Sequence, residues 1–435
     1  MNRAPDGRPA RSGPPAPKST PTRPRASRTR PRTPAALTAT LTAGLTAGLA
    51  TGLTAALLAF APPALAEGGP AVRLPVLPTE PAPGAACTGR SATTATDTPW
   101  EHLSLELPRA ARISEGAGVT VGVVDTGVST GAPTLAGRVR ALGPAGGDCV
   151  GHGTFVAGLI AAAPAEGTAF HGVAPRARIV AARGTTERGA PTPASVAAGI
   201  RGAVDAGARV VTVSAALTDR SSALDAAVAY AARHDVLLVA AAVPDAPRTT
   251  TVRTSPPPPR DYWPAAAPGV LGVLDVDVRG GRPDGAWLPA HADLAAPGDA
   301  VVGIGPRGAG HFVGSGASLA AGYAAGAAAL VRSAQPDLSA VETARRLTST
   351  AYPDDVPRLD VYAAVASVAG DTGATGGGLG AHAGAVRLPD RSHGERATRT
   401  AVLVSATGAG VVLLAGWAAL AVPRGRARGW RPARR

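Results

Sequence analysis

The chain has only two cysteines, Cys87 and Cys149, in 435 residues. It carries no Cys or His spacing that resembles a zinc site, so no metal centre is expected. No Gly-Lys-Ser/Thr follows its Gly-rich stretches, which removes a phosphate-cradling nucleotide loop, and no cofactor is expected either. The net charge of +13 does not belong to the body of the chain. Residues 1–33 and 423–435 hold fifteen of the 43 basic residues but one of the 30 acids, Asp6, which leaves 28 basic against 29 acidic residues in between. Nucleic-acid binding would need that charge on a folded face, and it is set aside.

The two ends read as export and anchoring signals. Residues 1–33 form a basic leader and Pro34 to Ala61 an apolar segment, followed by Pro62-Pro63-Ala64-Leu65-Ala66. A basic leader, an apolar run and an Ala-x-Ala site predict a signal peptide over 1–66, cut after Ala66; the Pro-Pro break argues against a retained anchor. Residues 67–97 are rich in Gly, Pro and Ala and read as an extended arm. At the other end, residues 369–400 are a Gly-rich linker. Ala401 to Val422 is then 22 residues without a charge, long enough to span a bilayer. The six arginines beyond it, in the tail 423–435, predict a cytoplasmic C-terminus. In an exported chain two cysteines most simply form one disulfide, in preference to two free thiols. Cys87–Cys149 would pin the arm beside His152, steadying or partly covering whatever cleft lies there.

The body, residues 98–368, alternates short Val/Ile-rich runs with Ala-rich ones. Strands are predicted at 119–124, 178–182, 209–214, 236–241, 270–276 and 300–304. Helices are predicted at 153–163, 192–206, 221–233, 318–334 and 339–349. Such alternation implies βαβ units: an α/β domain whose mostly parallel sheet is covered by helices. Arg248 to Arg260, with four consecutive prolines at 256–259, reads as a stiff surface loop.

Three short stretches carry chemistry. Val123-Val124-Asp125-Thr126-Gly127-Val128 is an apolar strand ending on a carboxylate. Gly151-His152-Gly153-Thr154-Phe155-Val156-Ala157-Gly158 sets a histidine between glycines at the start of a helix. Gly314-Ser315-Gly316-Ala317-Ser318 sets a serine before an Ala-rich helix, whose free N–H groups face any negative charge that develops there. A serine hydroxyl needs a base and a group to orient that base before it attacks a carbonyl. Each residue alone is better read as an ordinary turn or cap. Together, and in the order Asp125, His152, Ser318, they match subtilisin-type enzymes. The chain resembles the subtilases across roughly residues 98–368. His171-Gly172-Val173-Ala174-Pro175 and Asp293-Leu294-Ala295-Ala296-Pro297-Gly298 add lesser agreements.

The resemblance implies a subtilisin-like fold with helices on both faces of the sheet and a serine endopeptidase using Asp125, His152 and Ser318. It also implies that Ser214-Ala215-Ala216, in the stretch Val210 to Leu217, forms an edge strand that binds substrate backbone. His171, His291 and His311 lack partners at catalytic spacing and are expected to be packing or surface residues. One departure stands out. Subtilases carry an oxyanion-binding asparagine after the strand equivalent to 236–242; here Pro244 and Asp245 stand at that position. Proline has no N–H to offer, and an ionised Asp245 would repel an oxyanion.

The overall plan also resembles the mycosins, membrane-anchored proteases associated with type VII secretion: signal peptide, Pro-rich arm, a cysteine just before Gly-His-Gly-Thr, a C-terminal span and a basic tail. That implies a single-pass membrane protein with its peptidase domain outside the cytoplasm, a protein or peptide substrate, and a membrane secretion complex as partner. The alternative implied by the missing asparagine is a pseudoprotease, a structural or peptide-binding part of such a complex.

Overall fold

Five of the Val- and Ala-rich runs stack side by side, because strands buried on both faces need no polar alternation. A computed structural model describes residues 73–78, 81, 84–245, 258–283, 285–367 and 392–429. The proposed signal peptide and most of the Pro-rich loop at 248–260 lie outside the described residues. The main sheet contains β1 (Thr120–Asp125), β2 (Val139–Ala141), β3 (Arg178–Arg183), β4 (Val210–Val213), β5 (Leu237–Ala241), β6 (Val270–Val276) and β7 (Leu294–Pro297). Their order is β2-β3-β1-β4-β5-β6-β7, and every pairing is parallel. A separate antiparallel hairpin joins β8 (Val301–Ile304) to β9 (His311–Gly314).

Side chains alternate across β1, and the two sets enter different cores. Val121 and Val123 pack with α3 (His152–Ala161) and α6 (Ala317–Ala334) on one face. Val124 packs with α4 (Pro193–Asp205) and α5 (Ser222–Arg233) on the other. Helices therefore cover both faces. The strand order reverses at β1, with β3 on one side and β4 on the other. Parallel sheets open a crevice at such a switch point, beyond the carboxyl ends of the strands. Asp125 is the last residue of β1 and stands at that crevice.

The elements missed in the sequence are short ones: β2, β7 and β9, together with α1 (Trp100–Ser104), α2 (Leu107–Ala110) and α8 (Val361–Ala366). Runs of three to six residues show no usable period. The other helix on this side of the chain, α7 (Ala340–Ser349), begins at a capping box between Ser339 and Glu342. The C-terminal helix α9 (Ser392–Ala427) starts before the expected end of the linker at residue 400. Residues 392–400 are polar but include helix formers, so no hydrophobic signal announced them. Within α9, Thr407–Ala427 is long and apolar enough to cross a membrane, with a mean hydropathy of 1.4.

One charge lies deep in the core. Arg332, near the end of α6, is fully buried; Nη1 donates to the Arg209 and Asp235 carbonyls at 2.9 and 2.8 Å, and Nη2 pairs with the Asp235 carboxylate. Arg332 thus ties α6 to the entries of β4 and β5. Arg332→Met would keep the volume but strip its donor from the Asp235 carbonyl and leave the Arg209 carbonyl only the Leu237 N–H, while the half-exposed Asp235 carboxylate finds water. A loss of about 2–3 kcal/mol is expected, read from the urea unfolding midpoint; an unchanged midpoint would refute the tie.

Candidate active site

The three chemical stretches meet at the switch-point crevice. Asp125 ends β1, His152 opens α3, and Ser318 is the second residue of α6. His152 Nδ1 lies 2.9 and 2.8 Å from the two Asp125 oxygens, and its Nε2 lies 2.9 Å from Ser318 Oγ. All three residues are buried. The approach of α3 to β1 requires a glycine after the histidine: a Cβ on Gly153 would fall 2.1 Å from the Gly127 carbonyl oxygen and 2.9 Å from the Asp125 side chain. The small residues around His152 thus permit the histidine–carboxylate contact.

A second carboxylate, not singled out from the sequence, fixes the histidine loop. Asp148 Oδ1 accepts the Thr126 hydroxyl at 2.8 Å and the Gly151 N–H at 2.7 Å. Its Oδ2 accepts the Thr154 N–H at 2.8 Å and the Thr154 hydroxyl at 2.7 Å. Thr126 in turn accepts the Gly153 N–H at 3.0 Å. The turn after β1 and the first turn of α3 are therefore laced through one buried side chain. Burial pushes the Asp148 carboxyl up, against the pull of Thr154 and Gly151. Its only sequence signal was its place beside Cys149, four residues before His152.

The predicted Cys87–Cys149 disulfide is present. Thr88 N–H donates to the Cys149 carbonyl at 2.9 Å and the Thr88 hydroxyl to Val150 at 2.5 Å. Further along the arm, Leu77 N–H donates to Val313 and Val313 N–H to Pro75, both at 2.9 Å, adding a bridge to the edge of β9. Leu77 also packs beside Gly151. The arm braces the back of the histidine loop.

Ser214-Ala215-Ala216 sits differently from the expected edge strand. β4 itself is interior, between β1 and β5. Ser214 follows it directly and lies beside Asp125, where its hydroxyl favours the ionised carboxylate. Ala215 and Ala216 leave the sheet, and Leu217 exchanges two 2.8 Å backbone bonds with Trp263. Among the described residues, the backbone groups of Ala215 and Ala216 pair with none, so this short stretch remains open to a partner backbone. The three other candidate histidines, His171, His291 and His311, engage partners outside the triad. His171 Nδ1 contacts the Gly172 carbonyl and its ring packs on His102. His291 pairs with Asp293 at 2.9 Å, and buried His311 accepts the Ala95 N–H at 3.1 Å. Among the described residues no cluster of three or more His, Cys, Asp or Glu could hold a metal ion.

Asp245, four residues beyond the end of β5, reaches the serine itself. Its Oδ1 accepts the Ser318 backbone N–H at 3.0 Å, and its Oδ2 accepts the Ser318 hydroxyl at 2.5 Å. Oδ2 also lies 3.3 Å from His152 Nε2. The imidazole is thus flanked by two carboxylates. Burial alone would lower its proton affinity, but Asp125 and then Asp245 overcome this and raise it well above the usual histidine value. Burial pushes Asp125 up, but the charge and hydrogen bond of His152 prevail, and its carboxyl titrates below the usual range. The arrangement can hold an imidazolium between two anions, or a neutral imidazole poised against a serine hydroxyl.

The profile of the subtilase family matches residues 116–391. Mycosin-3 of Mycobacterium tuberculosis is 33% identical over 371 residues, covering 67% of this chain and 78% of the relative. Thermitase of Thermoactinomyces vulgaris is 32% identical over 274 residues, covering 60% of this chain and 93% of the relative. Among solved structures, the MycP3 protease from the type VII (ESX-3) secretion system is 30% identical with a TM-score of 0.54, covering 68% of this chain and 99% of that one. MycP1 from Mycobacterium smegmatis is 26% identical with a TM-score of 0.56, covering 68% and 92%. Fold, motif order and relatives agree: the chain belongs to the subtilase family, and its homologues there include the mycosins.

Proposed function

We propose that this protein is a membrane-anchored, extracytoplasmic serine endopeptidase that works with a type VII secretion complex. The observation that carries the reading is the unbroken contact chain from Asp125 through His152 to Ser318. In this reading Ser318 attacks the peptide carbonyl, and His152 takes its proton and passes it to the leaving amine. Asp125 holds the imidazole in the tautomer that presents Nε2 to the serine. Ala215 and Ala216 offer unpaired backbone to the substrate. Residues 98–368 are the catalytic domain, the segment 67–97 a brace, and 401–422 the membrane span, with the arginines of 423–435 on the cytoplasmic side and 1–66 removed on export. The secretion partner rests on likeness to the mycosins.

A second reading is favoured by one observation: a carboxylate occupies the Ser318 N–H that a substrate carbonyl needs. In that reading the domain binds peptides within the complex without cutting them. The full-length chain, purified in detergent and exposed to a fluorophosphonate probe, separates the two. Labelling that disappears in Ser318→Ala is expected. Absence of labelling in the folded parent at every pH would leave the binding role.

A further inference from the structure

At the end of the sheet opposite the triad, where β1, β2 and β3 begin, lies a cavity of about 240 Å³. Arg138, Arg140 and Arg178 line it beside Thr120, Val180 and Ala206, and no carboxylate does among the described residues. The sheet register places two of the arginines. Thr120 pairs with Arg178 and Arg140 with Val180, so Arg140 and Arg178 leave the sheet on one face, the face on which Val180 is buried. Both are exposed and form no ion pair among the described residues. Arg138 is held differently. Its half-buried guanidinium donates to the Pro175 and Ala177 carbonyls at 2.5 and 3.3 Å and to the Thr134 carbonyl. Carbonyls orient that charge without cancelling it. The surrounding charges are engaged elsewhere: Arg176 pairs with Glu115 at 3.6 Å, and Asp205, one residue before Ala206, accepts the Tyr230 hydroxyl at 2.6 Å. Three uncancelled guanidinium groups around a small cavity make an anion site, and their planar forks match phosphate oxygens.

The chain leaves the catalytic domain at this same end. The 18 residues of α6 carry it about 27 Å from the crevice that holds Ser318. Gln335, the next residue, donates to the Ser367 carbonyl at 3.2 Å, and Arg346 donates to the same carbonyl at 2.7 Å. Ser367 directly follows α8 and precedes the stretch that leads to α9. Contacts join this exit to the cavity. Arg209 Nη2 donates to the Pro336 carbonyl at 2.9 Å, and the Arg209 backbone N–H donates at 2.9 Å to Thr120, which lines the cavity.

We propose that this cavity binds a phosphate group supplied by the headgroup of an anionic phospholipid, so that the strand-entry end of the domain docks on the membrane. The proposal rests on the membrane-anchored reading above and adds an orientation that a single span does not set. With the arginines on the headgroups, the crevice at the carboxyl ends of the strands faces away from the bilayer and stays open to substrate. An acidic protein segment would meet the same charges, but the chain exit beside the cavity favours the bilayer. The cavity, about 240 Å³, is smaller than the ~300–1,000 Å³ of most small-molecule sites and suits a single headgroup phosphate. An anionic surface favours each nearby arginine by roughly fivefold, so Arg140 and Arg178 together should shift the ratio of docked to undocked domain about 25-fold.

The test places the full-length chain in lipid nanodiscs, with a dye on Ala117→Cys and an energy-transfer acceptor on the lipid headgroups. Ala117 is exposed and lies just before β1. Discs of phosphatidylcholine alone are compared with discs that also contain phosphatidylglycerol. Transfer should be higher with phosphatidylglycerol, and the rise should disappear at about 1 M salt, where the screening length is about 3 Å. Arg140→Gln with Arg178→Gln should lower the docked-to-undocked ratio about 25-fold. Arg90→Gln with Arg307→Gln removes two exposed charges elsewhere and should leave the rise intact. Thermal unfolding confirms that both double variants fold. Equal transfer in the two kinds of disc, or equal losses from the two double variants, would overturn the docking. Stabilisation of the detergent-purified chain by inorganic phosphate, with no lipid dependence in the discs, would also overturn it and give the cavity to a free anion. Failure of the parent to co-elute with discs of either kind would overturn the anchored reading itself, and the docking with it.

Discussion

Replacing Ser318 with alanine is expected to lower peptide-bond cleavage by about 10⁶-fold, the scale seen when this nucleophile is removed from subtilisin. The hydroxyl lies 2.9 Å from His152 Nε2, and no other described hydroxyl contacts that nitrogen. Alanine suits the second position of α6, and losing one oxygen leaves no cavity of consequence, so the fold should survive. His152→Ala should cost about as much, and the double variant little more, because base and nucleophile act as one unit. Asp125→Asn should cost about 10⁴-fold by holding the imidazole in the wrong tautomer. Rates on a quenched peptide library, with thermal unfolding as the control on folding, decide the matter. Ser318→Ala activity within tenfold of the parent would show that another group attacks the bond.

The fold was largely readable because its strands are buried on both faces and its helices are Ala-rich; hydrophobic runs and their spacing then report the parallel sheet directly. β1 to Asp125 and α6 from Ala317 fell within a residue of their expected limits. Features that depend on distant partners were not readable. Nothing in the local text of Asp148 reveals that it accepts four hydrogen bonds from Thr126, Gly151 and Thr154. Arg332 looks like a helix-end cation on a wet surface, yet carbonyls from two other elements hold it inside. Asp245 lies between these cases. The sequence showed that an asparagine was missing and that an anion would repel an oxyanion. It did not show that the carboxylate engages both the N–H and the hydroxyl of Ser318.

Removing the disulfide, by Cys87→Ser with Cys149→Ser, is expected to destabilise the domain by about 4 kcal/mol. The two cysteines are separated by 62 residues. In the chain-entropy model, closing a loop of that length removes about 14 cal/mol/K from the unfolded ensemble. For a domain of this size the loss corresponds to a fall of about 10 °C in Tm. The bond also joins an arm with little core of its own to the loop that carries Asp148 and leads into His152. Without it, the Thr88 bonds to Cys149 and Val150 must hold that arm unaided, and the arm would be expected to fray before the sheet does. Activity should therefore fall by less than stability, since Asp148 still fastens the histidine loop from within. Urea unfolding with and without a reductant measures the effect on the parent chain. An unchanged midpoint would mean that the bond removes little entropy from the unfolded chain and would refute this account. A large loss of activity at full stability would place the arm in the reaction cleft, in front of His152 rather than behind it.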